Sequence, residues 1–290
     1  MGWDSMRKSF SGKQIKARVS AAARNTKISV TNSPIRTEFE PDILKRLPQL
    51  SHVHPAEQLA LLRAKIEYCS NMYSFKNKDQ ETERYRKHKS QTFIELTGLA
   101  KNSPMIMNES IRGDFVDMLH KNIVLLIPDY NEDMEEEIYK EPQFEHIGFA
   151  LNLFAMILNN RHFKSSQMKT IITQNVISDF FQQMHHPDER IRESLKTVLH
   201  QIYTNFIVHR GYIRREISNY LLEFLYESDS YRGIPQIMQI LGSIVSGFSV
   251  PLKAEHKVLL IKILIPLHCS RKSFIFNFLY TESQYSEQQK

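Results

Sequence analysis

The sequence predicts an all-α protein, and three observations carry that prediction. Apolar residues recur with a period of about 3.6 along most of the chain after residue 46, the spacing that places them on one side of a helix. No stretch alternates apolar and polar residues over a useful length, as a half-buried strand would. With only 9 Gly and 11 Pro in 290 residues, breakers are too sparse for a sandwich or barrel. Such folds need a turn roughly every ten residues.

Residues 1–46 carry Arg7, Lys8, Lys13, Lys16, Arg18, Arg24 and Lys27 against Asp4, among Ser, Thr and Asn without apolar periodicity. They read as a disordered basic tail. Helical patterning begins near Pro55, where Leu59, Leu62, Ile66 and Cys69 or Tyr73 share a face, and resumes with Phe93, Leu96 and Leu99 until Pro104. Phe115, Met118, Leu119, Ile123 and Leu126 form the next pattern, ending at Pro128. The run DYNEDMEEEIYKE then places Asp129, Glu132, Asp133, Glu135, Glu136, Glu137 and Glu141 close together, and their repulsion predicts a solvated acidic loop. It lacks the alternating ligands and turn glycine of a calcium loop. Phe144, Ile147, Ala150, Leu151, Phe154, Ile157 and Leu158 make another helix, continued by Met168, Ile171, Ile172, Val176, Phe180 and Met184.

Residues 191–268 organise the chain, with three strongly periodic helices. Ile191, Leu195, Val198, Leu199, Ile202 and Phe206 form one buried stripe, with Lys196, His200, Tyr203 and Ile207 on the adjoining one. Ile234, Ile237, Ile240, Leu241, Ile244, Val245 and Phe248 form the second helix, and Pro251 is expected to open the third.

The totals exclude several classes. A composition of 41% apolar and 24% charged residues is that of a globular protein with one domain plus tails. Cys69 and Cys269 lie far apart beside apolar residues, so buried, reduced thiols are expected in a cytosolic or nuclear protein. No run is long and apolar enough for a membrane span. The chain has no GxxxxGK, GxGxxG, GxSxG or CxxC, so phosphate-cradling, nucleophile-elbow and zinc-ribbon chemistry lack their minimum residues. His185, His186 and Asp188 have metal-binding side chains at the wrong spacing, because neighbours on a helix or turn point apart. No cofactor is expected. The net charge of +6 favours acidic partners without selecting nucleic acid, and an RNA-binding solenoid is the weaker reading of it.

The segment ILGSIVSGFSVPLKAEHK, followed by LLIKILIPLH, resembles the B-prime regulatory subunits of serine/threonine protein phosphatase type 2A. LHQIYTNFIVHRGYIRR and, more loosely, LPQLSHVHPAEQLALLRAKIEYCSNMYSF resemble the same family. The resemblance implies a curved solenoid of HEAT-like helical hairpins, with an armadillo-like superhelix, over residues 47–268. It also implies a divergent tail over 269–290, where the chain reads as cut short at its C-terminal end. It further implies a non-enzymatic regulator with scaffold and catalytic subunits as partners, and a groove for peptides of the form Leu-x-x-Ile-x-Glu.

By the same resemblance, the groove residues are His200, Gln201, Tyr203, Arg210, Gln239, Ile240, Ile244, Lys253 and His256. Such a groove needs two apolar sockets and cations for a carboxylate. The isoleucines and Tyr203 would supply the first; His200, Arg210, Lys253 and His256 the second. Read from the residues alone, Ile240 and Ile244 are equally core isoleucines, Tyr203 a packed tyrosine and Arg210 a surface salt-bridge partner. Gln201 and Gln239 stand where the family pattern has arginine and glutamate, so that point of the groove is neutral and its preference is altered. A stand-alone peptide-binding adaptor is the alternative role.

Overall fold

A computed structural model of the chain describes residues 47–75, 79–128, 139–227 and 230–269. Among the described residues every regular element is helical. The first four helices are α1 (Pro55–Cys69), α2 (Gln80–Asn102), α3 (Arg112–Ile123) and α4 (Phe144–Leu158). A single turn α5 (Ser165–Met168) precedes α6 (Gln174–Gln183), α7 (Glu189–Asn205), α8 (Arg210–Tyr226) and α9 (Ile234–Ser246). The last segment is α10 (Ala254–Leu259), a π-helical turn (Leu260–Leu264) and α11 (Ile265–Cys269).

Local chemistry starts these helices where they start. Pro55 occupies the first turn of α1, where a missing N–H costs no hydrogen bond. The Asp79 carboxylate accepts from the Thr82 amide at 2.7 Å and opens α2. Thr173 and Asp188 cap α6 and α7 in the same way. Gly233 precedes α9 in the left-handed region at φ 71. A Cβ there would lie 2.5 Å from Tyr220 Oη and 2.6 Å from the Met184 carbonyl oxygen, so only glycine fits.

The helices pair as hairpins: α1 with α2, α3 with α4, α6 with α7, and α8 with α9. In one layer α2, α4, α7 and α9 pack in succession. In the other, α1 packs on α3, α6 on α8, and α8 on the π turn and α11. His120 Nε2 at 2.8 Å from Asp179 Oδ2 links α3 to α6 within that layer. This is the helical-hairpin repeat architecture of HEAT and armadillo proteins, in which each unit buries its apolar faces only against its neighbours. Because α4 lies against α2, α3 and α7 it is apolar on more than one side, with Ile147, Ala150, Leu151, Leu153, Phe154 and Ile157 all buried.

A polar box joins the first two hairpins. Fully buried Lys89 donates to the Asn71 carbonyl at 2.6 Å and to Asn122 Oδ1 at 2.7 Å. Asn122 Nδ2 donates in turn to the Cys69 and Met118 carbonyls. Burial pushes the Lys89 ammonium down to about 8 and the Cys69 thiol up to about 12.

Several expectations need correction. Among the described residues four helical segments, not three, occupy 191–268, because Phe206 is extended (φ −116, ψ 90) and a 3-10 turn, Ile207–His209, separates α7 from α8. Ile207 therefore leaves the helix and is 76% exposed. No Pro or Gly marks that break, and buried Phe206 packs edge-on against Phe163 at 5.6 Å, a tertiary contact. Pro251 precedes α10 without opening it; the helix begins at Ala254. Leu126 lies beyond α3 and is exposed. Cys269 is exposed while Cys69 is buried, so only one thiol lies in the core. The acidic run from 129 to 138, the basic tail and residues 270–290 lie outside the described residues.

Glu141, grouped above with the solvated acids, is buried. Its carboxylate accepts from Tyr139 Oη at 2.9 Å and from the Gln143 amide at 3.1 Å, with His186 Nε2 at 3.6 Å. Burial works to raise its pKa, but those donors outweigh it and hold the carboxyl below its ordinary range. His186 is wholly buried and accepts from the Asp188 amide through Nδ1, which assigns its proton to Nε2, facing Glu141. His185 instead stacks on Tyr220, so the two adjacent imidazoles diverge. Among the described residues no cluster of His, Cys, Asp and Glu could hold a metal ion.

Candidate functional site

The nine residues implied for the groove lie on α7, α8 and α9, at Lys253 just before α10, and at His256 within it. The abrupt end of α7 organises the first of them. Its last carbonyls have no intrahelical partner, and Arg210, at the start of α8, turns back to cap them. Arg210 Nε donates to the Tyr203 carbonyl at 2.9 Å and Nη2 to the Thr204 carbonyl at 3.0 Å. Its guanidinium carbon lies 5.3 Å from the Tyr203 ring centroid. The arginine thus has a structural task, with part of its donor set taken.

Tyr203 is half-buried, and its hydroxyl accepts from Arg214 Nη1 at 3.1 Å. Arg214 Nη2 reaches Glu255 Oε1 on α10 at 2.9 Å, and His256 Nε2 lies 3.5 Å from the same oxygen. His256 stacks flat on Phe248 at 3.6 Å and is itself buried. Burial lowers the Arg214 pKa, but Tyr203 and Glu255 outweigh it and the guanidinium stays charged. A continuous chain of contacts, Tyr203–Arg214–Glu255–His256–Phe248, therefore ties α7 and α8 to α10 and the preceding loop.

On the other side of α7, Glu193 accepts from Lys196 at 2.6 Å and from Gln236 Nε2 at 2.7 Å. Lys196 also donates to Gln239 Oε1. This ladder fixes α9 against α7 and satisfies Gln239 with a cation. Gln201 is half-buried, and its Oε1 is buried without a hydrogen-bond partner among the described residues. His200 and Lys253 are exposed, and their side chains make no hydrogen bond or ion pair among the described residues.

Ile240 and Ile244 are 1% and 3% exposed and belong to the core. They can floor a depression but offer no open socket in this conformation. The exposed apolar residue of α9 is Val245, and half-buried Phe248 follows the helix. The structure brings Tyr203 together with Arg210, and links Tyr203 to His256 only through Arg214 and Glu255. Sequence reasoning missed both linkers, together with Glu193, Lys196 and Gln236. The one available signal was weak: Glu255 precedes His256, and a carboxylate beside a cation invites pairing. An open cavity of about 580 Å³ lies elsewhere, lined by Phe144, Phe149, Asn152 and Arg190.

A family model for the protein phosphatase 2A regulatory B subunit, B56 family, matches residues 47–290. The chain belongs to the B56 family. The match continues through the segment beyond residue 268 where the resemblance stopped. The 56 kDa regulatory subunit alpha isoform of Homo sapiens is 32% identical over 260 residues, covering 88% of this chain and 53% of that protein. The delta 2 isoform of Schizosaccharomyces pombe is 32% identical over 241 residues, covering 81% and 38%. The 57 kDa B' beta isoform of Arabidopsis thaliana is 30% identical over 271 residues, covering 89% and 54%. The chain spans about half the length of the curated relatives it matches, or less. Among the described residues no helix is long and apolar enough to cross a membrane.

Proposed function

We propose that this B56 family member is a non-catalytic regulator of protein phosphatase 2A, acting in the cytosol or nucleus. It recruits substrates through a short-motif groove along α7, α9 and α10 and joins a scaffold and a catalytic subunit. The observation that carries the reading is the convergence of two arginines on one half-buried aromatic: Arg210 and Arg214 both contact Tyr203, and the His256 imidazole follows through Glu255. Exposed Lys253 and His200 add free donors at the same helix ends. Cations beside an aromatic wall suit a peptide that ends its motif in glutamate.

The test is titration of a Leu-x-x-Ile-x-Glu peptide, for which micromolar affinity, about −8 kcal/mol, suits a short motif. Replacing Lys253 and His256 together should weaken binding at least tenfold, as loss of charge-assisted donors costs about 1.5–3 kcal/mol. Unchanged curves would reject the groove. Copurification of scaffold and catalytic chains tests the second half; a protein that binds peptide but retains neither is a stand-alone adaptor.

A further inference from the structure

Resting on the groove reading, we propose that Glu255 is a built-in competitor. It holds the Arg214 guanidinium beside the His256 imidazole in the free protein and is displaced when an acidic peptide side chain binds. The geometry is that of a ligand carboxylate already in place. One oxygen, Glu255 Oε1, lies 2.9 Å from Arg214 Nη2 and 3.5 Å from His256 Nε2, so a single acceptor faces both nitrogens.

The exposures of the partners decide which one moves. The Arg214 side chain is 16% exposed and that of His256 9%, whereas that of Glu255 is 53% exposed. Arg214 is also anchored by the Tyr203 hydroxyl, and His256 by its stack on Phe248. Both side chains therefore stay when Glu255 rotates into solvent. The carboxylate loses little by leaving, because a half-exposed ion pair is weak and its acceptor is rehydrated at once. The Arg214 guanidinium, mostly buried, then needs another acceptor, since an uncompensated charge there is costly. An incoming carboxylate supplies it without rearranging the wall. Glu255 thus neutralises Arg214 in the free protein and sets a threshold that only an acidic side chain, with Lys253 at hand, can exchange against.

The test compares two peptides, Leu-x-x-Ile-x-Glu and the same peptide with glutamine last, against the full chain and its Glu255→Gln variant. Glutamine keeps the shape of Glu255 and removes its charge. The acidic peptide should bind the variant about two- to fivefold more tightly than the native chain, the range that release of a weak ion pair gives. The neutral peptide should bind both chains equally. Equal or weaker binding of the acidic peptide by a variant with native circular dichroism would show that Glu255 only braces the wall, and would overturn the proposal while leaving the groove intact. Failure of the native chain to bind either peptide would overturn the groove reading itself. If Glu255→Gln does not fold, the arginine side-chain amide signals of the native chain decide. Arg214 should shift on addition of the acidic peptide and not of the neutral one; an unmoved signal at saturation overturns exchange.

Discussion

Gly233→Ala and Gly98→Ala should change stability in opposite directions. At Gly233 the backbone sits at φ 71, and a non-glycine residue there costs about 1–2 kcal/mol. The new methyl group would also lie 2.5 Å from Tyr220 Oη and 2.6 Å from the Met184 carbonyl, closer than real Cβ atoms come. Tyr220 cannot simply withdraw, since its hydroxyl donates to the Arg232 carbonyl at 2.8 Å and its ring stacks on His185. Overpacking of this kind adds about 1–3 kcal/mol, so the total is roughly 2–5 kcal/mol. At about 2–4 °C per kcal/mol for a unit of this size, the melting temperature should fall by roughly 10 °C. Gly98 is exposed in the middle of α2 with nothing within 4 Å of a built Cβ, so alanine there should stabilise by about 0.5–1 kcal/mol. Thermal melts of the three full-length chains, followed by circular dichroism, are the assay. A Gly233→Ala melt within about 2 °C of the parent would refute the strain argument, and so would a loss of similar size at Gly98.

Other outcomes follow from the buried polar box. Asn122→Leu removes one acceptor from Lys89 and the donor to the Cys69 carbonyl, and should cost about 2–4 kcal/mol in urea unfolding; a loss below about 0.5 kcal/mol would mean that Lys89 finds another partner. Alkaline stability gives a second check. The Cys69 thiol holds its proton up to about 12 in the folded chain against an ordinary value near 9, so between those values the folded state binds more protons than the unfolded one. Stability from this group therefore falls as pH rises through that window, by about 1 kcal/mol per unit. Lys89, depressed to about 8 from 10.5, acts with the opposite sign between those two values. The readout is therefore a difference in slope: between pH 9 and 10.5 the two groups oppose each other in the parent, so the slope of stability against pH should be more positive in Cys69→Ala, and parallel slopes would contradict the buried thiol's role.

Helix content and its rough placement were legible because a period of 3.6 is a local property: each stripe of Leu, Ile and Phe marks a buried face whatever it packs against. Residues 144–158 were readable from end to end for that reason, and so was the start of α1 at Pro55. The break at Phe206 was not, since no proline or glycine sits there and the extended backbone is held by the contact with Phe163. Nor was the burial of Glu141, which depends on Tyr139 beside it and on His186 and Asp188 from the α6–α7 turn.

At the candidate site the division is sharper. The segment patterns were enough to point to the family and to bring Tyr203, Arg210, Lys253 and His256 into view. They left open whether Ile240 and Ile244 are sockets or core, and gave no hint that Arg214 and Glu255 join Tyr203 to His256. Those answers required the stacking of α7, α8, α9 and α10. Hydrophobic pattern records that a side chain is buried, but its partner lies 11 to 43 residues away and is chosen by how successive hairpins pack, which no local spacing encodes.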